Sequence, residues 1–189
     1  MTPHAQYINE LIQKHKLKVG AEIGVRDGVF SEYLLSQNPD LKMYAVDVWQ
    51  SVPGMSRCDS NRDHQANLTE TMTRFKPYRE RVTILKSIST TAARYVSSKS
   101  LDFVFIDAGH DFKSVVDDLR AWFPKVKSKG WLTGHDYHPG RGVKKAVDTY
   151  CRNVQFGGYD YEGNDKNITW VCRKADVNEK SLYNHTGTE

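Results

Sequence analysis

The hydrophobic positions of this chain follow two patterns, short unbroken apolar runs and longer stretches with one apolar face. The clearest run, 101–106, suits a strand at the buried centre of a parallel sheet. The clearest stripe lies in 112–126, where apolar residues recur at helical spacing. The two patterns alternate, and they predict strands at about 18–23, 42–47, 81–85, 101–106 and 130–133 and helices at about 4–16, 28–37, 65–76, 90–97, 112–126 and 143–151.

The order of these elements indicates the fold class. Strands that alternate with helices are typical of a doubly wound α/β protein with a mostly parallel sheet. Two further strands, at about 153–159 and 167–173 around the turn-rich residues 161–165, would complete seven strands with a C-terminal antiparallel hairpin. We therefore expect one Rossmann-like domain over 1–174 and a polar tail, 175–189, that frays.

Composition narrows the class of protein. Charged residues are 26% and hydrophobic residues 39% of the 189, which is ordinary for a globular domain. No apolar run approaches the ~18 residues of a membrane span, so we expect no membrane partner. Cys58, Cys151 and Cys172 lie far apart and no apolar leader precedes the first strand, so we expect reduced thiols and a cytoplasmic chain.

The net charge of +4 comes from basic residues scattered along the chain, and the densest cluster is 74–81. Basic residues interleaved with aromatic ones can contact nucleic acid. A solvated helix end and loop explains such a segment more simply. Nucleic acid is therefore only a minor hypothesis for the partner of this chain.

A glycine-bearing turn after the first strand carries the strongest signal of a ligand. Glu22 lies in the last part of that strand, Gly24 and Gly28 border the turn, and Asp47 ends the second strand. The dinucleotide fingerprint needs the order G-x-G-x-x-G, whereas here an acid stands where a pyrophosphate would be repelled. The acid suits an ammonium or sulfonium, so the turn favours S-adenosylmethionine over NAD, with Asp47 accepting the ribose hydroxyls. The alternative is a purely structural turn.

Polar side chains also follow the fourth and fifth strands. Asp107 and His110 come after the fourth, and His135 and Asp136 come after the fifth. Ligands of doubly wound sheets bind beyond the carboxyl ends of the strands, so these side chains should converge with Asp47 at one mouth. Taken singly, each acid could cap a helix and His135 could be a buried structural histidine. As a set they favour a binding or catalytic site.

Residues 49–64 form a long insertion without helical or strand periodicity. Such a loop is often a lid over a ligand, although a disordered excursion fits equally well. The lid over a substrate would come from this insertion, from the N-terminal helix or from a partner subunit, so a homo-oligomer is one of the expectations.

Together these motifs resemble a known family. Glu22-Ile-Gly-Val-Arg-Asp-Gly28, Ala45-Val-Asp47, Leu101 to His110 and Gly134-His-Asp-Tyr137 are similar to class I S-adenosylmethionine-dependent methyltransferases. The closest group is the small bacterial-type family that includes sugar and macrolide-sugar O-methyltransferases. The resemblance covers about residues 18–173, and a C-terminal hairpin is the usual end of the sheet in this class.

The resemblance implies which residues hold the cofactor. Glu22 and Gly24 match the residues beside the methionine moiety, and Gly28 matches the close-packed end of the loop. Asp47 matches the ribose-binding acid. Ser87 falls where the family contacts adenine, although Leu-Lys stands here before this serine in place of the family's frequent Gly-Asp.

The resemblance also implies a metal site and a base. In metal-dependent relatives, an acid after the fourth strand and two polar residues after the fifth bind magnesium, and these positions match Asp107, His135 and Asp136. Magnesium prefers oxygen ligands, so His135 leaves manganese or iron open. His110 matches the general base of those relatives. Asp107 is expected in the catalytic, cofactor-binding and metal-binding sets at once.

The function implied by the resemblance is an S-adenosylmethionine-dependent methyltransferase that methylates a hydroxyl of a small molecule or sugar, assisted by a divalent cation such as Mg²⁺ or Mn²⁺. Two alternatives stay open, namely a metal-free N-methyltransferase and a degenerate methyltransferase fold that serves as a binding subunit. An oxidoreductase is disfavoured by the missing glycine pattern.

Overall fold

The computed structural model describes residues 2–52, 63–162 and 165–184. The strands within these residues are β1 (Val19–Ile23), β2 (Lys42–Asp47), β3 (Val82–Lys86), β4 (Leu101–Ile106), β5 (Val126–Gly134), β6 (Gln155–Glu162) and β7 (Asp165–Arg173). The helices are α1 (Pro3–His15), α2 (Val29–Gln37), α3 (His64–Phe75), α4 (Ser89–Ala92), α5 (Phe112–Trp122), α6 (Gly142–Tyr150) and α7 (Glu179–Asn184).

The strands form one sheet in the order β3-β2-β1-β4-β5-β7-β6. The first five of these strands pair in parallel, whereas β7 is antiparallel to both β5 and β6. The predicted fold class, a mostly parallel seven-stranded sheet with a C-terminal antiparallel hairpin, is confirmed. The strand order reverses between β1 and β4, which is where doubly wound sheets bind their ligands.

Helices cover both faces of the sheet because β4 presents large apolar residues to each side. Phe103 and Phe105 pack with α1 and α2, whereas Val104 and Ile106 pack with α5 and α6. All four side chains are almost completely buried. This two-sided burial explains why the sequence of β4 is an unbroken apolar run rather than an alternating one.

The boundary between α5 and β5 differs from the prediction. The helix ends at Trp122, a 3₁₀ turn covers Phe123–Lys125, and β5 begins at Val126 instead of near residue 130. Pro124 accounts for the early end of the helix, because proline lacks the backbone N–H that would continue the helical hydrogen bonds. The predicted helix over 112–126 was therefore too long and the predicted strand over 130–133 too short.

The C-terminal segment is more ordered than a fraying tail. Residues 179–184 form α7, and Val177 and Leu182 are buried. Arg120 Nε donates to the carbonyl of Leu182 at 2.7 Å, and the Tyr183 hydroxyl donates to the carbonyl of Arg120 at 3.0 Å. Two apolar side chains thus attach this otherwise polar segment to α5. Residues 185–189 lie outside the described part of the chain.

Two observations bear on the expected cellular context. Among the helices that the structure describes, none has both the length and the apolar character needed to cross a membrane. Cys151 and Cys172 are buried free thiols. A hydrogen bond with Cys172, together with burial, raises the pKa of the Cys151 thiol, which disfavours its reactive thiolate. Cys58 lies outside the described residues.

Candidate active site

The glycine turn after β1 packs directly against the end of β4. Gly24 has φ +95° and its N–H donates to the carbonyl of Val46 at 2.9 Å. A Cβ at Gly24 would lie 2.2 Å from the carbonyl oxygen of Asp107. Gly28, with φ +83°, stands at the start of α2. The positive φ at both positions favours glycine over other residues. Gly24 also lets the turn pack directly against Asp107.

Glu22 is buried beneath the turn, with 3% of its surface exposed. The Ser31 hydroxyl on α2 donates a short hydrogen bond to its carboxylate. Burial raises the pKa of Glu22 well above its ordinary value, the charges of Asp107, Asp47 and Asp27 raise it further, and the Ser31 bond lowers it. Four acidic side chains are thus close enough to interact around the turn, so the site favours a ligand that carries positive charge.

Asp47 closes β2 with both carboxylate oxygens facing backbone donors. Its Oδ2 accepts from the N–H of Arg26 at 2.8 Å, and its Oδ1 accepts from the N–H of Trp49 at 3.0 Å. Each carboxylate oxygen can accept more than one hydrogen bond, so Asp47 keeps capacity for a ligand's hydroxyls. The N–H of Ser87 donates to the carbonyl of Asp47 at 2.9 Å, which places Ser87 beside it.

Arg26 and Trp49 adopt left-handed backbone conformations, with φ of 57° and 42°. Such conformations are costly for residues other than glycine and occur often at functional sites. The Trp49 indole N–H donates to the carbonyl of Arg26 at 2.7 Å and the Thr71 hydroxyl donates to the same oxygen at 3.2 Å. These bonds hold both donors in place beneath Asp47.

Three ionisable side chains meet beyond the ends of β4 and β5. His110 Nε2 lies 2.8 Å from Asp136 Oδ2 and 3.6 Å from Asp107 Oδ1. Arg141, just before α6, places a guanidinium nitrogen 2.8 Å from His110 Nδ1 and 3.6 Å from Asp136 Oδ1. The helix cap expected as an alternative role for Asp107 belongs instead to Asp111, whose carboxylate accepts from the N–H of Ser114.

The hydrogen bonds of His110 determine which of its ring nitrogens carries the proton. A guanidinium can only donate, so Nδ1 accepts from Arg141 while Nε2–H donates to Asp136. Burial lowers the pKa of His110, whereas its contacts with Asp107 and Asp136 raise it, and the net direction is upward. Burial alone would raise the pKa of Asp136, but His110, His135 and Arg141 lower it to about 2. Asp136 is therefore an ionised anchor for the ring.

His135 turns away from this cluster, although it precedes Asp136 in the chain. Its Nδ1 lies 3.8 Å from Asp136 Oδ1, and its Nε2 lies 3.3 Å from Asp160 Oδ1 on β6. Consecutive residues at a strand end project to opposite faces, and Asp136 here has a left-handed backbone, with φ 56°. The expected set of Asp107, His135 and Asp136 is thus not brought together, because His110 takes the third place.

Sequence reasoning missed three residues of this region. Arg141 lies between two glycines, four residues after the end of the Gly134–Tyr137 motif, and this basic residue in a glycine-bearing loop was the available signal. Asp160 and His4 belong to a hairpin strand and an amphipathic helix, where nothing in the local pattern marks them. Their proximity to His135 arises only from the way α1 packs on β6.

The basic segment 74–81 is largely occupied with intramolecular bonds. Arg74 forms ion pairs with Glu32, at 2.7 Å, and with Glu70. The Arg81 guanidinium donates to the main-chain carbonyls of Leu35, Asn38 and Leu41. Arg74 thus links α3 to α2, and Arg81 links the segment before β3 to the end of α2 and the loop after it, which weakens the hypothesis of a nucleic-acid partner.

The expected lid over 49–64 lies mostly outside the described residues, which resume at residue 63. Trp49, at its start, is 3% exposed and therefore belongs to the scaffold of Asp47.

The sequence and the fold agree on the class of protein. Residues 21–137, more than half of the chain, match the family described as methyltransferase domain. The chain therefore belongs to the methyltransferase domain family. None of the curated proteins matches this sequence.

Solved structures show the same class I, Rossmann-like fold. A provisionally assigned O-methyltransferase from Klebsiella pneumoniae has a TM-score of 0.67 at 14% identity, covering 92% of this chain and 80% of its own. A provisionally assigned caffeoyl-CoA O-methyltransferase from Staphylococcus aureus has a TM-score of 0.59 at 16% identity, covering 89% and 82%. The N-methyltransferase NodS from Bradyrhizobium japonicum WM9, in complex with S-adenosyl-l-homocysteine, has a TM-score of 0.60 at 11% identity, covering 90% and 84%. The resemblance to class I methyltransferases is confirmed.

Proposed function

We propose that this protein transfers the methyl group of S-adenosylmethionine to a hydroxyl oxygen of a small molecule. The observation that carries the proposal is the position of His110, hydrogen-bonded to the ionised Asp136 and close to Asp107. All three lie at the edge of the sheet where the glycine turn and Asp47 also end. A base and a cofactor-type turn at one edge are the two parts that such a transfer needs.

The residues proposed to bind the cofactor complement its charge and its hydrogen-bonding groups. A sulfonium and an ammonium would relieve the mutual repulsion of the acids around Glu22 and Asp107. Asp47 would accept the ribose hydroxyls, and Ser87, bonded to its main chain, would lie beside the adenine. Gly24 and Gly28 would border the methionine portion. The cofactor supplies an electrophilic methyl carbon when bound.

The bonding pattern of His110 favours oxygen as the acceptor. A neutral amine needs no base before it attacks, whereas a hydroxyl gains nucleophilicity when its proton is removed. Asp136 holds Nε2–H and stabilises the imidazolium that forms when Nδ1 takes a proton. In the structure Arg141 donates to Nδ1, so it occupies the position of an acceptor hydroxyl and must move aside when the substrate binds.

A divalent cation is the second candidate for activating the acceptor. One ligand atom from each of Asp107, His110 and Asp136 lies within 4.8 Å of the others, so these residues would hold an ion once His110 Nε2 has lost its proton. Two carboxylates and an imidazole suit Mn²⁺ or Fe²⁺ better than Mg²⁺. Such an ion would lower the pKa of the acceptor hydroxyl. Asp136 already has the Arg141 guanidinium and the His110 N–H as partners, which supports the metal-free base.

The test is an acceptor screen. Purified protein is incubated with S-adenosylmethionine and panels of catechols, sugars and primary amines, and S-adenosylhomocysteine is quantified with and without EDTA. We expect turnover with a hydroxyl acceptor that survives EDTA. Turnover that needs Mn²⁺ after EDTA would assign the metal, and turnover on amines alone would favour N-methylation. Failure to bind S-adenosylhomocysteine would contradict the proposal and support a degenerate binding subunit.

A further inference from the structure

A second group of metal-ligating side chains lies on the other side of His135 from the proposed base. It consists of His4 on α1, His135 after β5 and Asp160 on β6. We propose that these three residues form a binding site for a divalent transition-metal ion. The site is separate from the Asp107–His110–Asp136 cluster, and the inference does not depend on the proposed methyl transfer.

The separations of the donor atoms match those around a single ion. His4 Nδ1 lies 2.8 Å from Asp160 Oδ2, and His135 Nε2 lies 3.3 Å from Asp160 Oδ1. The centroids of the two imidazole rings are 4.6 Å apart, and the ring planes are tilted by 46°. Ligands about 2.0–2.2 Å from zinc lie roughly 3–3.5 Å from one another in tetrahedral or octahedral arrangements. Only small side-chain adjustments would admit an ion.

His135 supplies an independent indication of a missing ligand. The residue is 8% exposed, and its Nε2 is buried with no hydrogen-bond partner among the described residues, although Asp160 is near. A buried polar atom without a partner is costly and calls for an explanation such as an ion. A metal bound to this nitrogen would remove the cost and would use the atom that already faces Asp160.

His4 is held in the orientation that a ligand needs. Its Nε2 is 3.0 Å from the Thr2 hydroxyl, which leaves Nδ1 for the ion, and its ring stacks on Phe30 and Phe105. Metal-bound histidines usually engage their second nitrogen in such a hydrogen bond, which orients the ring. The site is therefore ordered before any ion binds.

The backbone of β6 permits this arrangement. Gly158 has φ +55°, and a Cβ there would lie 2.8 Å from the Cα of His4. The close approach brings the start of α1 against β6, so that ligands from three distant parts of the chain meet. An ion at this point would join α1, β5 and β6 and would fix His135 directly beside Asp136.

The donor set selects the kind of ion. Two imidazole nitrogens and one carboxylate suit Zn²⁺, Co²⁺ or Fe²⁺ and leave positions open, whereas Mg²⁺ prefers oxygen donors alone. We therefore expect Zn²⁺ and Co²⁺ to bind in preference to Mg²⁺.

The experiment uses full-length untagged protein that has been stripped of metal with a chelator. Calorimetric titration with Zn²⁺ and the visible spectrum after Co²⁺ addition are compared for the wild type, His4→Gln, Asp160→Asn and, as a variant of the other cluster, Asp107→Asn. His15→Gln is the matched control, because it changes a histidine on the same helix outside the cluster. We expect the wild type and His15→Gln to bind one Zn²⁺ ion per chain tightly. The affinity for this ion should be at least about tenfold weaker in His4→Gln and Asp160→Asn.

Folding is checked by circular dichroism in EDTA. Zn²⁺ should raise the melting temperature of the wild type and of His15→Gln, because it binds the folded state preferentially, and should leave the ligand variants unchanged. Should a ligand variant fail to fold, the Co²⁺ spectrum of the wild type decides, since absence of imidazole-ligated bands overturns the proposal. Equal Zn²⁺ affinity in the wild type and a folded His4→Gln would also overturn it. Loss of the tightly bound ion in Asp107→Asn but not in His4→Gln would place the ion in the other cluster and reject this site.

Discussion

His110 and Asp136 are joined by a contact of 2.8 Å between Nε2 and Oδ2. They follow two neighbouring parallel strands, and Asp136 has a left-handed backbone conformation. The pair resembles the orienting half of a catalytic triad, in which a buried carboxylate selects the ring tautomer and stabilises the imidazolium. This relationship gives the first prediction.

His110→Gln should reduce the rate of methyl transfer by about 10²–10⁴-fold, which is the usual contribution of a general base. Asp136→Asn should also slow the reaction, because an amide no longer specifies the Nε2–H tautomer. Calorimetry should show S-adenosylhomocysteine affinity within about twofold of the wild type in both variants, and His15→Gln should change neither quantity. A rate for His110→Gln equal to that of the wild type would remove the ring from the chemistry.

Asp47→Asn should weaken S-adenosylhomocysteine binding at least about tenfold. The reason is that a hydrogen bond to a charged group contributes about 1.5–3 kcal/mol, and 1.4 kcal/mol is a factor of ten. Asp40→Asn, which alters an acid with an 82% exposed side chain, serves as the control. Equal calorimetric affinities for the two variants would show that Asp47 only holds Arg26 and Trp49.

Gly24→Ala should be far more destabilising than Gly140→Ala. Both glycines have positive φ, +95° and +84°, so both substitutions incur the left-handed strain of about 1–2 kcal/mol. A Cβ at Gly140 meets nothing within 4 Å, whereas one at Gly24 lies 2.2 Å from the carbonyl of Asp107. Urea unfolding should therefore give a loss of more than about 3 kcal/mol for Gly24→Ala. Similar losses in the two variants would mean that the turn relaxes away from β4.

Asp118, buried on α5, should make the stability depend on pH. Burial raises the pKa of this carboxyl to about 7, against the opposing hydrogen bond of Ser89. Between its unfolded value near 4 and about 7, only the folded state keeps the proton. The contribution of this group to the free energy of unfolding is therefore fully present below about pH 4, falls by about 1.4 kcal/mol per pH unit between about 4 and 7, and levels off once the pH has risen through 7.

The comparison that isolates Asp118 is the isosteric Asp118→Asn, which never ionises. Urea unfolding should show that, between pH 5 and pH 8, the free energy of unfolding falls by about 3 kcal/mol more in the wild type than in this variant. Asp40→Asn, which alters an exposed acid, should keep the wild-type dependence. Parallel profiles for the wild type and Asp118→Asn would contradict the raised pKa.

Most of the sheet could be predicted because local periodicity and burial coincide in this chain. The run of β4 and the stripe of α5 are such cases, since each pattern needs only near neighbours to be recognised. The errors arose where one residue overrode a pattern, as Pro124 did at the end of α5, or where distant packing ordered a polar segment, as Leu182 did in α7.

The sequence by itself determined that Asp47, Asp107 and Asp136 stand at strand ends, because strand order and length follow from the apolar pattern and parallel strands share one edge. The tertiary structure decided which side chains face each other. The carboxylate of Asp136, which has a left-handed backbone, faces His110, and the close approach of α1 to β6 brings His4 to His135. Such contacts depend on side-chain direction and on helix placement, and neither can be predicted from the hydrophobic periodicity of a single segment.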